Sequence, residues 1–183
     1  DINPVSIAKH IDAGERVIVQ FSKGCYSAQQ LTLLNQLAKN HGRSFEIRFY
    51  GHYSEVFDAS VLQWIPDAQC VSIDCLMKAS NLDALTKIQT LVELSLGVFE
   101  LEDPDILCYC NSPSLKVLSL GDARKCNIDF RHISKCVDLE RIHTTGHTRH
   151  ISTICSLPWL RDLSLSSIKK NDDIEFVSSI PTL

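Results

Sequence analysis

The sequence predicts an α/β solenoid, a curved parallel sheet backed by helical or 3₁₀ returns, and three observations carry that reading. A pattern of the form L-x-x-L-x-L recurs down the chain, at Leu91-Val92-Glu93-Leu94-Ser95-Leu96, Leu115-Lys116-Val117-Leu118-Ser119-Leu120 and Leu160-Arg161-Asp162-Leu163-Ser164-Leu165. Degenerate copies stand at Leu139-Ile142-Thr144, Ala68-Val71-Ile73 and Ser44-Ile47-Phe49. The central apolar residue (Ile47, Val71, Leu94, Leu118, Ile142, Leu163) returns at spacings of 24, 23, 24, 24 and 21 residues, a period typical of stacked repeats. Between the copies, apolar residues run at helical spacing: Leu82, Leu85, Ile88; Phe130, Ile133, Cys136; Ile151, Ile154, Leu157; Ile174, Val177, Ile180.

The elements follow in chain order. Asn3-Pro4 opens a helix to about Ala13, Arg16 to Phe21 (RVIVQF) reads as a strand, and Ser27-Ala28-Gln29-Gln30 is a capping box ahead of Leu31, Leu34, Leu37 and Ala38. Residues 1–43 are therefore expected to form an N-terminal helix-strand-helix cap. Residues 44–183 hold about six repeat units, the last incomplete, because Leu183 stands where another strand should begin. One unit of this size cannot bury its apolar face alone, so neighbours must stack, strand beside strand. Two return segments show start signals: Asn81 before Leu82, and Asp103-Pro104, where Asp can cap and Pro fits the first helical position.

These copies resemble the leucine-rich repeat family over roughly residues 44–183. The family usually carries Asn three residues after the last strand leucine, where its side chain ties adjacent turns together. Here those positions hold Leu76, Phe99, Ala123, His147 and Ile168. The repeats are in this respect similar to divergent bacterial members, and the post-strand loops must be held by packing or other polar groups. The resemblance implies a non-catalytic module that binds a protein partner through the concave sheet.

Composition narrows the function classes. The 183 residues carry 18 Lys+Arg against 22 Asp+Glu, a net charge of -4, with 44% hydrophobic content, enough apolar mass for one continuous core. No concentrated basic face is implied, which argues against a nucleic-acid backbone or an anionic membrane as partner. No apolar run reaches the roughly 18–20 residues a membrane span needs, and the N-terminus has no signal-peptide pattern, so a cytoplasmic location is expected. Eight cysteines fall well below the density of a disulfide scaffold, and Cys108-Tyr109-Cys110 alone is a weak zinc signal. No cofactor or metal is expected. The chain begins without Met and lacks a polar closing cap, so a longer protein, a covering partner or self-association through the open C-terminal edge is expected.

Function should reside on the face that strand alternation turns outward. Three columns can be written: Glu46, Cys70, Glu93, Val117, Arg141, Asp162; then Arg48, Ser72, Ser95, Ser119, His143, Ser164; then Tyr50, Asp74, Gly97, Gly121, Thr145, Ser166. Small residues flanked by charges leave room for a partner's side chains, or else they merely tolerate tight curvature and stay solvated. The predicted partner-binding set is Arg48, Tyr50, Asp74, Glu93, Ser95, Ser119, Arg141, His143, Asp162 and Ser164. A bacterial effector or toxin-neutralising, immunity-like protein is the alternative within binding roles.

Four other features invite a functional reading. His143, His147 and His150 look metal-like in HTTGHTRH, but on a strand and loop they have no reason to converge, and His147 should hydrogen-bond loop backbone instead. Cys25 near a helix N-terminus beside Lys23 would be the nucleophile of a thiol enzyme, and Ser27 with free N–H groups could hold an anion there. That loop has neither the glycine density of a phosphate cradle nor a histidine placed as base, and no catalytic residue is assigned. Trp64 and Trp159 read as core or convex-side packing, and Lys169-Lys170 beside Asp172-Asp173 reads as a solvated turn.

Overall fold

The computed structural model describes residues 2–169, 174–180, 182 and 183; the Lys170 and Asp172-Asp173 part of the expected turn lies outside the described residues. Nine strands form among the described residues: β1 (Val17–Phe21), β2 (Phe45–Tyr50), β3 (Val56–Asp58), β4 (Cys70–Leu76), β5 (Lys78–Ser80), β6 (Glu93–Val98), β7 (Val117–Leu120), β8 (Arg141–Thr145) and β9 (Asp162–Ser166). Seven of them make one parallel sheet in the order β1-β2-β4-β6-β7-β8-β9, and β3 pairs with β5 in a small second sheet. The repeat markers lie side by side across that sheet, Ile47 against Val71, then Leu94, Leu118, Ile142 and Leu163. Val19 of β1 extends the row at Ile47.

All returns between repeats are 3₁₀ segments, among them Ala59–Trp64, Leu82–Lys87, Ile106–Tyr109, Phe130–Lys135 and Ile151–Ser156. A 3₁₀ turn rises about 2.0 Å per residue against 1.5 Å for an α-helix, so a short segment covers the sheet within a repeat of this length. Leu82, Leu85 and Ile88 are buried, as are Phe130, Ile133 and Cys136, and Ile151, Ile154 and Leu157. The last set differs. Its 3₁₀ segment is Glu175–Ser179, one residue late, so Ile174 becomes an exposed cap, Ile180 is buried, and Phe176 packs partly on the core.

The N-terminal region supplies two α-helices, α1 (Pro4–Asp12) and α2 (Ala28–His41). Asn3 caps α1 by accepting from the Ser6 N–H, and both bonds of the Ser27–Gln30 capping box are made. Leu31, Leu34, Leu37 and Ala38 of α2 join the buried core with Phe45, Phe49 and Phe57.

Start signals in the returns work differently from expectation. Asn81 is left-handed (φ 55°), so its side chain turns away from the 3₁₀ segment and donates to Asp58 Oδ1 (2.8 Å). Asp103 accepts from the Asp105 N–H (2.9 Å), which puts Pro104 in a turn ahead of the segment at Ile106. In place of an Asn ladder, main-chain bonds tie successive loops: Phe99 N–H to Leu76 O, Gly121 N–H to Leu96 O, Arg124 N–H to Phe99 O. Where each repeat enters its strand a second ladder recurs, with paired N–H groups of Lys116 and Val117 on Val92 O and of Glu140 and Arg141 on Lys116 O. Their regularity keeps the strands aligned and the outward columns straight.

Candidate functional site

The first two columns read from the sequence run unbroken from β2 to β9, while the third is interrupted where the register of β4 and β6 shifts after Ile73. Glu46, Cys70, Glu93, Val117, Arg141 and Asp162 stand in one row, and Arg48, Ser72, Ser95, Ser119, His143 and Ser164 in the next, each partner opposite the last. The two ends of this face differ in what their side chains do.

At the N-terminal ends of the strands the charges satisfy one another. Arg16 donates to Glu46 Oε2 (2.8 Å) and Glu93 Oε2 (2.7 Å), and Arg43 grips Glu93 Oε1 from Nη2 (2.6 Å) and Nε (3.0 Å). Ser72 Oγ donates to the remaining Glu46 oxygen (2.6 Å). Burial alone would raise the Glu93 pKa, but the bonds from Arg16 and Arg43 outweigh it and hold the carboxyl below the usual range. The neighbouring Cys70 thiol is pushed up to about 12 by burial and by Glu93. Glu93 of the predicted set is thus already bound by its own chain. The sequence columns contain neither Arg16 nor Arg43.

Midway, Arg48 Nε donates to Asp74 Oδ1 (2.9 Å), Nη1 donates to Gln20 (3.1 Å), and the guanidinium sits 4.6 Å over the Tyr50 ring. Ser95 Oγ lies 3.4 Å from the other Asp74 oxygen.

At the C-terminal ends the sheet opens into a groove of about 660 Å³. Ser95, Ser119, Gly97 and Gly121 form its floor, Tyr53, Cys75, Met77 and Phe99 one wall, and Asp74, Asp122 and His143 its polar positions. Three features set it apart. Tyr53 is 61% and Phe99 41% exposed, so two aromatic rings present much of their surface to water beside the groove. Cys75 has φ +53° at the point where the β4–β6 register shifts between Ile73 and Leu76. A non-glycine residue in that region costs about 1–2 kcal/mol, and the bulge turns the Cys75 side chain into the groove wall. Gly97 has an ordinary φ, and a Cβ there would meet only Asp74 and the Cys75 nitrogen at 3.5 Å, normal contact distance. Neither its φ nor the space for a Cβ demands glycine at 97, and with no side chain there the backbone itself lines the groove.

The other predicted residues are dispersed. Arg141 and Asp162 approach to 4.0 Å on the exposed part of the face, with Ser164 in the next row. The three histidines go to separate places. His143 lines the groove, while His147 is buried, accepting from the Ile128 N–H at Nδ1 (3.2 Å) and meeting Gly121 O through Nε2 (2.9 Å). Those bonds require the neutral ring, and burial lowers its pKa accordingly. His150 Nδ1 meets the buried Asp129 carboxylate (3.0 Å), which Arg131 and Arg149 also contact. Burial alone would raise the Asp129 pKa, but the bonds from Arg131 and His150 hold it far below the usual range. No group of three or more His, Cys, Asp or Glu is placed to hold a metal among the described residues.

Two further readings meet the geometry. Ser27 and Gln30 occupy each other's backbone N–H groups at the start of α2, and the Glu55 carboxylate lies 3.4 Å from the Gly24 N–H, so a carboxylate already stands where an anion was considered. Cys25 is exposed in that loop. Trp64 and Trp159 are 44% and 64% exposed, so neither is core. Each neighbours a proline in a turn between segments, and Trp159 lines a hollow with Lys116, Asp138, Glu140 and Arg161.

Comparison with known proteins yields a fold. No protein-family model matches the chain, and no curated protein matches its sequence. Among solved structures it is similar to internalin C2 from Listeria monocytogenes, with a TM-score of 0.58 and 17% identity, over 79% of this chain and 61% of that one. It is also similar to a second internalin of that organism, with a TM-score of 0.56 and 19% identity, over 76% of this chain and 44% of that one. The matches thus span less than two thirds of each of those structures. Both are leucine-rich-repeat proteins, and the solenoid described above has that fold.

Proposed function

We propose that this leucine-rich-repeat solenoid is a non-catalytic module that binds a partner protein on its concave sheet, with the groove at the C-terminal strand ends as the centre of the interface. The observation that carries this reading is Gly97, a position where the fold would accept a side chain and has none. Fold alone does not license function, so support comes from what lines the groove. Exposed aromatic rings beside small floor residues form the kind of desolvated pocket in which interface energy concentrates. Asp74, Ser95, Ser119 and His143 of the predicted set line it, Arg48 and Tyr50 flank it through Asp74, and Arg141, Asp162 and Ser164 continue the face beyond His143. Glu93 serves the fold instead.

Differential affinity capture from the native source tests this. The unmodified chain and Trp159→Ser, altered outside the groove, are expected to retain the same protein, and Gly97→Val is expected to lose it while melting normally. Equal capture by all three would remove the groove from the interface.

A further inference from the structure

We infer that the groove receives a basic side chain, Arg or Lys, carried on an exposed segment of the partner protein. The inference rests on the binding role proposed above and names the chemistry that the same site would select.

Charge complementarity inside an apolar slot selects the occupant. Among the described residues that line the groove, the only formally charged ones are two carboxylates, Asp74 and Asp122, and no Lys or Arg joins them. Asp122 is exposed and makes no ion pair or side-chain hydrogen bond among the described residues, so its carboxylate is free to meet a cation brought into the groove. Asp74 is engaged by Arg48 at Oδ1 only, which leaves Oδ2 beside Ser95 Oγ at 3.4 Å. Between the two carboxylates the floor is Gly97 and Gly121, whose backbones stack so closely that a Cβ on Gly121 would lie 3.0 Å from the Gly97 Cα.

An occupant must therefore be slender and apolar along the floor and cationic at its tip. The methylene stem of Arg or Lys meets the first requirement and its head the second. Phe99 and Tyr53 add ring faces on which a guanidinium can stack. The Phe99 ring already lies 5.7 Å from the Arg124 guanidinium carbon, a contact of the same chemistry within the chain. An acidic occupant would face two carboxylates, and a bulky aliphatic one would leave Asp122 desolvated with no partner.

A phage-displayed random dodecapeptide library, panned on the unmodified chain with Gly97→Val as the negative selection, tests both levels separately. The expected result is a set of peptides that bind the unmodified chain, fail on Gly97→Val, share a basic residue, and bind Asp122→Asn about tenfold more weakly. Gly97→Ala, which keeps the backbone contact ordinary, should weaken them less than Gly97→Val. Groove-dependent peptides without a common basic residue, or with full affinity for Asp122→Asn, would overturn the basic-side-chain inference while leaving the groove as a binding site. Peptides that fail to distinguish the unmodified chain from Gly97→Val, or no bound peptides at all, would overturn both.

Discussion

The two ends of the concave sheet are built from the same repeat and do opposite things with it. At the N-terminal ends, Arg16 and Arg43 reach in from outside the columns and close Glu46, Glu93 and Ser72 into one network. At the C-terminal ends, Gly97 and Gly121 carry no side chain, rings stand exposed at Tyr53 and Phe99, and Asp122 has no cationic partner among the described residues. A charged column in a repeat sequence is thus not a binding surface by virtue of its charge. What separates the two ends is whether the chain satisfies its own groups.

The comparison can be broken most sharply at Gly97. Gly97→Val should weaken partner binding by a hundredfold or more, since it adds bulk to the groove floor, while thermal melting stays within a few degrees, because valine suits a strand and a Cβ here has its nearest neighbours, in Asp74 and Cys75, at ordinary contact distance. At the other end Arg16→Met should do the reverse. It removes the shared cation of two largely buried carboxylates, so stability should fall by about 2 kcal/mol in urea unfolding, with partner affinity unchanged within twofold.

Acid should loosen the molecule in two stages. Burial lowers the folded pKa of His147 below its ordinary 6.5, so the neutral ring's contribution is complete above about pH 6.5 and is lost as pH falls through the lowered folded value. The carboxyls of Glu93 and Asp129, held low in the fold, add a second loss only at pH values below their ordinary 4.5 and 3.8. Melting temperatures of His147→Asn, which restores the residue common in this repeat, should lose the first stage and keep the second. The smallest effect is expected at Arg141→Glu. Its approach to Asp162 is long and exposed, so stability should change by less than about 0.5 kcal/mol, with a salt-sensitive weakening of partner binding of a few-fold.

How much of this was legible before the structure follows from the range of the interactions. Strand register was readable because each repeat repeats its own leucines, so Leu94, Leu118 and Ile142 align by counting alone. The His147 bonds were readable because a polar residue in the ladder position has few other uses. The charge network was not, since Arg16 and Glu93 lie 77 positions apart and meet only after β1 has joined the stack. Nor was the Cys75 bulge, where a backbone φ changes sign with no glycine to announce it. Phe99 occupies the ladder position yet is 41% exposed, while Leu76 in the same position one repeat earlier is buried, a difference that the repeat pattern does not announce. Trp159 is legible only in part for a related reason: aromatic composition favours burial, whereas its 64% exposure beside Lys116, Asp138, Glu140 and Arg161 depends on how the turns stack.

A groove floor dispensable for the fold and required for binding is tested at once by the partner affinity of the folded Gly97→Val chain. Native melting together with binding reduced at least a hundredfold is expected. Full affinity in a chain that melts normally would contradict it, and so would a melting temperature that collapses, since Gly97 would then serve the fold.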